Sequence, residues 1–167
     1  MRTDILETPK HTLTSPAWAL KSLAKARVGH LATSTRKGEP LVVPICFALG
    51  TRAIYSAIDQ KPKRMRPFAL RRVRNIVENR NVCLTVDEYE EDWRKLRYVI
   101  VQAKATLLTR GREHRTALSL LRGKYRQYRT MELESRPIIK IRPRRIIAWQ
   151  ARPSSPAGRM VKTKEYP

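Results

Sequence analysis

Three short apolar runs, Val28 to Thr33, Leu41 to Leu49 and Ala53 to Ile58, succeed one another with little chain between them. The first two are separated by Thr35-Arg36-Lys37-Gly38-Glu39-Pro40, a turn-forming stretch. Strands joined so closely cannot make parallel crossovers, which need a dozen or more residues, so the pattern predicts an antiparallel meander. Pro44 lies inside the second run and has no N–H to donate. That strand must therefore sit at a sheet edge, or bulge, where the proline falls. Such a break suits a place where a ligand approaches backbone.

The rest of the chain supplies further strands and a few helices. Ser15-Pro16 reads as an N-cap with proline at the first helical position, and Ala17, Leu20, Leu23 and Ala24 carry the apolar spacing of a short helix ending near Arg27. Arg66-Pro67 opens a second helix with a stripe of Leu70, Val73, Ile76 and Val77; Arg71, Arg72 and Arg74 point elsewhere, and Asn79 is its stop. Val82, Leu84 and Val86 alternate with Cys83, Thr85 and Asp87 as a strand. After the polar excursion Glu88 to Lys95, Arg97 to Leu108 is a long strand. Arg112 to Tyr128 is a third helix with Ala117, Leu118, Leu121 and Tyr125 on one face, and Ile138 to Trp149 is a final β segment broken by Pro143. Mainly β with some α, this order fits a small β-barrel with peripheral helices.

At 167 residues and 41% hydrophobic composition the chain can bury one core without metals or disulfides. Residues 1–15 read as an N-terminal extension, 16–151 as the domain and 152–167 as a basic, mobile tail. The longest apolar run, Leu41 to Leu49, falls far short of the roughly 20 residues that span a bilayer. The N-terminus lacks the apolar stretch of a signal peptide, which makes the cytoplasm the expected compartment. Cys46 and Cys83, each within an apolar run, are expected to be buried, reduced thiols.

Several chemistries lack their residues. There is no glycine-rich dinucleotide loop, P-loop or nucleophile elbow. His11, His30 and His114 stand singly without ligand-spaced partners, which disfavours zinc. His30 reads as a partly buried strand residue. The acidic stretch Asp87 to Asp92 reads as a solvated loop that balances nearby cations rather than a hard-metal site.

With 36 basic against 14 acidic residues, the formal net charge is +22. Charge of this size points to anionic partners and makes nonspecific nucleic-acid binding expected, without choosing among partners. The densest cationic segment, Lys61 to Arg80, admits three readings: a solvated helix face, a nucleic-acid surface, or a cofactor-phosphate grip made by Lys61, Lys63 and Arg64 just after a strand. Phe68 and Tyr55 are the only nearby aromatics to stack a base. Composition alone leaves the second and third readings open.

Several stretches together carry a resemblance. Ala26-Arg27-Val28-Gly29-His30-Leu31-Ala32-Thr33, followed by Gly38-Glu39-Pro40-Leu41-Val42-Val43-Pro44-Ile45-Cys46-Phe47, resembles the opening of the pyridoxamine 5'-phosphate oxidase-like split-barrel family. Asp59-Gln60-Lys61-Pro62-Lys63-Arg64, Asn75-Ile76 with Asn79-Arg80-Asn81-Val82, Val86-Asp87 through Trp93, Lys124 to Tyr128 and Ile146 to Trp149 resemble a branch that uses the deazaflavin coenzyme F420. The resemblance implies a six-stranded split barrel that forms a homodimer with two cofactor sites at the subunit interface. It implies that Leu31, Ala32 and Thr33 and Val43, Pro44 and Ile45 flank the cofactor ring, with Ser56 and Ala57 adding contacts. Lys61, Lys63 and Arg64 would hold phosphate, Lys63 first among them, and Trp93 and Trp149 would wall the pocket. The chain is richer in arginine and lysine than the family pattern. The function implied is hydride transfer between F420, or FMN as alternative, and a small organic substrate, in an enzyme needing no acid–base dyad of its own. A cofactor-storage protein without turnover and a polyanion-binding barrel are the rivals.

Overall fold

The computed structural model describes residues 15–59, 67–152 and 155–162. Its centre is one antiparallel sheet: β1 (Gly29–Ser34), β2 (Pro40–Ile45), β3 (Ala48–Leu49), β4 (Ile54–Ala57), β5 (Asn81–Glu88), β6 (Arg97–Leu108), β7 (Ile138–Arg152) and β8 (Ser155–Lys162). Neighbours follow the order β2-β1-β5-β6-β7-β4-β3, and β8 pairs with β7 off this path. The helices are α1 (Ala17–Lys25), α2 (Arg71–Glu78) and α3 (Arg112–Lys124), with short 3-10 turns at Pro67–Ala69, Trp93–Lys95 and Arg126–Arg129. No helix among the described residues is long and apolar enough to cross a membrane.

The connectivity forces the sheet to curl. β2 and β3 are the two ends of the path, yet only Cys46 and Phe47 separate them in sequence. Three Cα steps reach about 11 Å at most, whereas seven strands laid flat span about 29 Å. The sheet must wrap until its edges nearly meet. Tyr125, just after α3, pins that corner: its hydroxyl accepts a hydrogen bond from Phe47 N at 2.9 Å and lies 2.8 Å from the Arg27 carbonyl and 2.9 Å from the Phe47 carbonyl.

This corner explains why Leu41 to Leu49 is two strands rather than one: Phe47 gives its backbone groups to a tyrosine hydroxyl instead of a ladder partner. With that split and with β8 added, the sheet has eight strands among the described residues, where six were expected. β8 falls in a segment whose composition reads as a tail. It forms because β4 covers only the first part of β7, Ile138 to Ile141, and leaves the edge from Ile147 to Arg152 for another strand. Pro44 sits on an edge strand, as its missing donor requires. Pro143 does not break β7. A bulge absorbs it, with Gln102 opposite Arg145 and Ala103 opposite Pro143, so that Arg144 is extra.

Alternate strand residues fill the interior. Leu31, Leu84, Val101 and Ile146 form one cross-strand row, each fully buried. Leu23 of α1 and Val73 and Ile76 of α2 close the same core. Val77, placed on the α2 stripe by its spacing, is instead 66% exposed. A second cluster packs α3 through Ala117, Leu118 and Leu121 against Ala48, Tyr55 and Ile138. The predicted third helix is shorter than its apolar face suggested, because Tyr125 adopts extended backbone and ends α3 at Lys124.

Candidate functional site

The outer face of the sheet carries an open cleft of about 930 Å³. Ala32, Thr33 and Ser34 of β1, Pro40 of β2, Asn81, Val82 and Cys83 of β5, and Gln102 and Ala103 of β6 form its floor, and Arg144, the extra residue of the β7 bulge, stands at one wall. Strand pairing sets Ala32 opposite Cys83 and Cys83 opposite Gln102, so their side chains share one face. The floor residues are short, which leaves the sheet surface clear. Ser34, Asn81, Gln102 and Arg144 add hydroxyl, amide and guanidinium groups. Among the described residues that line it, none is a carboxylate or an imidazole.

α2 holds the floor in place through asparagines one helical turn apart. Asn75 Nδ2 donates to the buried Thr33 Oγ1 at 3.1 Å, and Asn79 Nδ2 donates to Ser34 Oγ at 2.9 Å. Asn79 Oδ1 in turn accepts from the backbone N and side-chain Nδ2 of Asn81, both at 3.1 Å. One helix thus fixes the end of β1 and the start of β5, two strands that meet in the cleft. Arg71, in an ion pair with Glu39 at 2.8 Å, ties the same helix to the β1–β2 turn. The Thr33 hydroxyl is engaged inward, so at this position the backbone faces the cleft. Burial pushes the Cys83 thiol up from its ordinary value, partly offset by a hydrogen bond with Thr85. Cys83 at neutral pH is therefore a thiol and a packing surface, not a nucleophile.

Of the residues singled out in the sequence, Ala32 and Thr33 line the cleft. Leu31 and Ile45 point into the core, and Val43 packs against it. Pro44 is exposed on β2, one residue from Val43 and opposite His30. Ser56 and Ala57 are buried in β4. Trp149 stacks on Tyr98 with ring centroids 5.3 Å apart, on the same rung as Asp87. Trp93 is 69% exposed in a 3-10 turn. Lys61, Lys63 and Arg64 lie outside the described residues. His30 is exposed rather than partly buried, 3.9 Å from Asp87. Cys46 and Cys83 are free and half-buried. The acidic stretch serves neighbouring cations: Glu88 pairs with Arg97, and Asp92 with Arg94.

The sequence reading missed Ser34, Pro40, Asn81, Val82, Cys83, Gln102, Ala103 and Arg144. The period-two rule that puts Ala32 on the outer face also puts Cys83 and Gln102 on a single face of their own strands. Only the pairing register reveals that the three faces are one. For Arg144 the signal was Pro143, which in a long strand implies a bulge and an extra residue.

Solved structures share this fold. A conserved hypothetical protein of Mycobacterium tuberculosis superposes with a TM-score of 0.67 at 15% identity, over 86% of this chain and 89% of that one. An F420 reductase gives 0.58 at 22% identity over 79% and 98%. The heme storage protein HutZ of Vibrio cholerae gives 0.58 at 16% identity over 74% and 86%. No curated protein sequence matches the chain. The sequence model of pyridoxamine 5'-phosphate oxidase matches residues 19–150, the curled sheet together with the asparagine-bearing helix and the cleft. The chain belongs to the pyridoxamine 5'-phosphate oxidase family.

Proposed function

We propose that this protein binds a redox cofactor in the outer cleft and transfers hydride between that cofactor and a small organic substrate, with coenzyme F420 preferred over FMN. The observation that carries the reading is the cleft itself, in a member of this family: a clear floor of Ala32, Ser34 and Cys83 with polar groups at its rim. A planar ring can lie flat on such a floor, with Gln102 and Asn81 as edge partners and Arg144 beside an anionic chain. The residues present fit a flavin or deazaflavin. When bound, that group supplies the hydride chemistry. The protein's part is to hold the ring on a floor fixed by Asn75 and Asn79, to shield it from water and to anchor its anionic end. Lys61, Lys63 and Arg64, which follow β4 in sequence, are assigned to the cofactor phosphate, and the net charge of +22 favours the more anionic F420.

The working unit in this proposal is a homodimer. Val42, exposed at 59%, and Pro44 of β2 share the outer face with Ala32 and His30, and farther along the sheet Ile100, Ile147 and Trp149 are only half-buried. A second copy laid across this face would cover apolar surface and roof the cleft.

Titration of the purified protein with F420, FMN and hemin, followed by absorbance and fluorescence, tests the reading. Micromolar saturation with F420, weaker binding of FMN and none of hemin is the expected result. Failure of both F420 and FMN to bind sinks it. The fold shared with the heme storage protein HutZ supports one second reading, a cofactor store without turnover. In that case F420 binds, but reduced F420 is not reoxidised by any of a panel of small electron acceptors.

A further inference from the structure

A second cationic group, far in sequence from Lys61, stands beside the cleft, and one of its members, Arg144, lines it. In the pairing of β6 with β7, Lys104 lies directly opposite Arg142, and both are exposed. Residues so placed hold their Cβ atoms about 4.5–5.5 Å apart, and like charges directly opposite one another destabilise a sheet. The next step along β7 is the bulge that adds Arg144, also exposed, at the cleft wall. Three cations therefore gather at one end of one sheet face. Among the described residues none of the three forms an ion pair. Glu113 acts on Arg142 electrostatically, but its carboxylate is already engaged by Lys140 Nζ at 2.7 Å and by the Tyr55 hydroxyl at 2.8 Å. On the β5 side the same row ends at Asn81, opposite Lys104 and itself in the cleft floor.

Repulsion of this kind is relieved when a multivalent anion sits between the charges. We infer that Lys104, Arg142 and Arg144 form an anion subsite at the β6–β7 lip of the cleft, which selects small ligands whose end carries two or more negative charges. The cleft volume suits a small molecule rather than a polymer. Adjacent phosphates or adjacent carboxylates would satisfy the subsite equally. It deepens the reading of the cleft as a cofactor and substrate site, because the occupant would be the anionic end of a molecule held there, separate from the group assigned to Lys61, Lys63 and Arg64.

Inorganic diphosphate is the probe, with tricarballylate as a carboxylate arm and orthophosphate as the single-anion control, each titrated calorimetrically into the full chain at 0.15 M salt. Wild type should bind diphosphate at one site at least tenfold more tightly than orthophosphate. Arg144→Gln and the double variant Lys104→Gln/Arg142→Gln should each lose at least tenfold. Arg115→Gln/Arg126→Gln, which removes the same number of exposed charges on and after α3, should keep wild-type binding. The ligand-free double variant should also melt higher than wild type, and diphosphate should raise the melting temperature of wild type and of the Arg115/Arg126 variant but not of the two cleft variants. Equal loss in the Arg115/Arg126 variant, or diphosphate binding unchanged in both cleft variants, overturns the proposal. If diphosphate binds as described while F420 and FMN do not, the subsite stands and the cofactor reading falls. The tighter of the diphosphate and tricarballylate arms tells whether phosphates or carboxylates are the natural end group.

Discussion

Two rows of the same sheet, one residue apart, do different work. Leu31, Leu84, Val101 and Ile146 cross β1, β5, β6 and β7 on the inside and are fully buried. Their chain neighbours Ala32, Cys83, Gln102 and Arg145 cross the same strands on the outside. The backbone hydrogen bonds and the twist are common to both rows. What differs is that the inner row must fill a closed volume, whereas the outer row needs only to keep a surface clear. Stability and function can thus vary almost independently on alternate residues, provided the strands stay in register.

The sharpest way to break this contrast is to truncate one residue of each row. Leu84→Ala should cost about 2–5 kcal/mol, as for a large-to-small change in a packed core. Cys83→Ala should stay within about 1 kcal/mol while altering cofactor affinity. Equal destabilisation of the two in urea melts would erase the distinction between faces.

Next in size is the corner that makes the sheet curl. Tyr125→Phe leaves the buried Phe47 N–H without its acceptor, at a cost of about 1–3 kcal/mol. Denaturation should show the loss. A variant as stable as wild type would mean that the corner closes without this tyrosine.

Asn75→Ala sharpens the comparison differently, because it is a buried inner residue that serves the outer face. Removing its bond to Thr33 should cost about 1–3 kcal/mol and also weaken cofactor binding severalfold, although Asn75 does not line the cleft. Lost stability with unchanged affinity, measured by the same titrations, would show that α2 supports the fold alone.

The smallest effect concerns pH. Burial, reinforced by Arg27, lowers the Lys124 ammonium to about 8, while its charge lies 4.2 Å from the centre of the Phe47 ring. On unfolding the group returns to its ordinary value, so above about pH 8 the unfolded chain binds more protons and this lysine makes stability rise with pH; below that its burial penalty acts in full. Lys124→Met should therefore raise the melting temperature by about 2–4 °C at neutral pH and abolish the rise above pH 8. A scan of melting temperature from pH 6 to 10 reads both.

Much of this molecule was legible in the chain. Short alternating runs specify strands through their period of two, close connections specify antiparallel pairing, and the missing donor of Pro44 specifies an edge. The Ala26-to-Phe47 opening carried the family. Other features were not legible, because they depend on contacts between residues far apart. Leu41 to Leu49 is interrupted in hydropathy only at Pro44, yet it divides at Phe47, where Tyr125, 78 residues beyond, takes the backbone groups. The stripe of α2 counted Val77 as core, yet the helix docks on the sheet through Val73, Asn75 and Ile76.

The amino-acid sequence by itself determined most of the strands, their antiparallel pairing and the family, since these follow from local periodicity, short loops and motif order. Tertiary structure alone decided which outer residues become neighbours. Side-chain alternation says that Ala32, Cys83 and Gln102 each lie on some face, but register is set by the packing of the inner row. Once Leu31, Leu84 and Val101 are aligned in the core, the outer residues have no freedom left. Arg144 reaches the cleft for the same reason, because the strand had to accommodate Pro143 without losing the burial of Ile141 and Ile146 on either side.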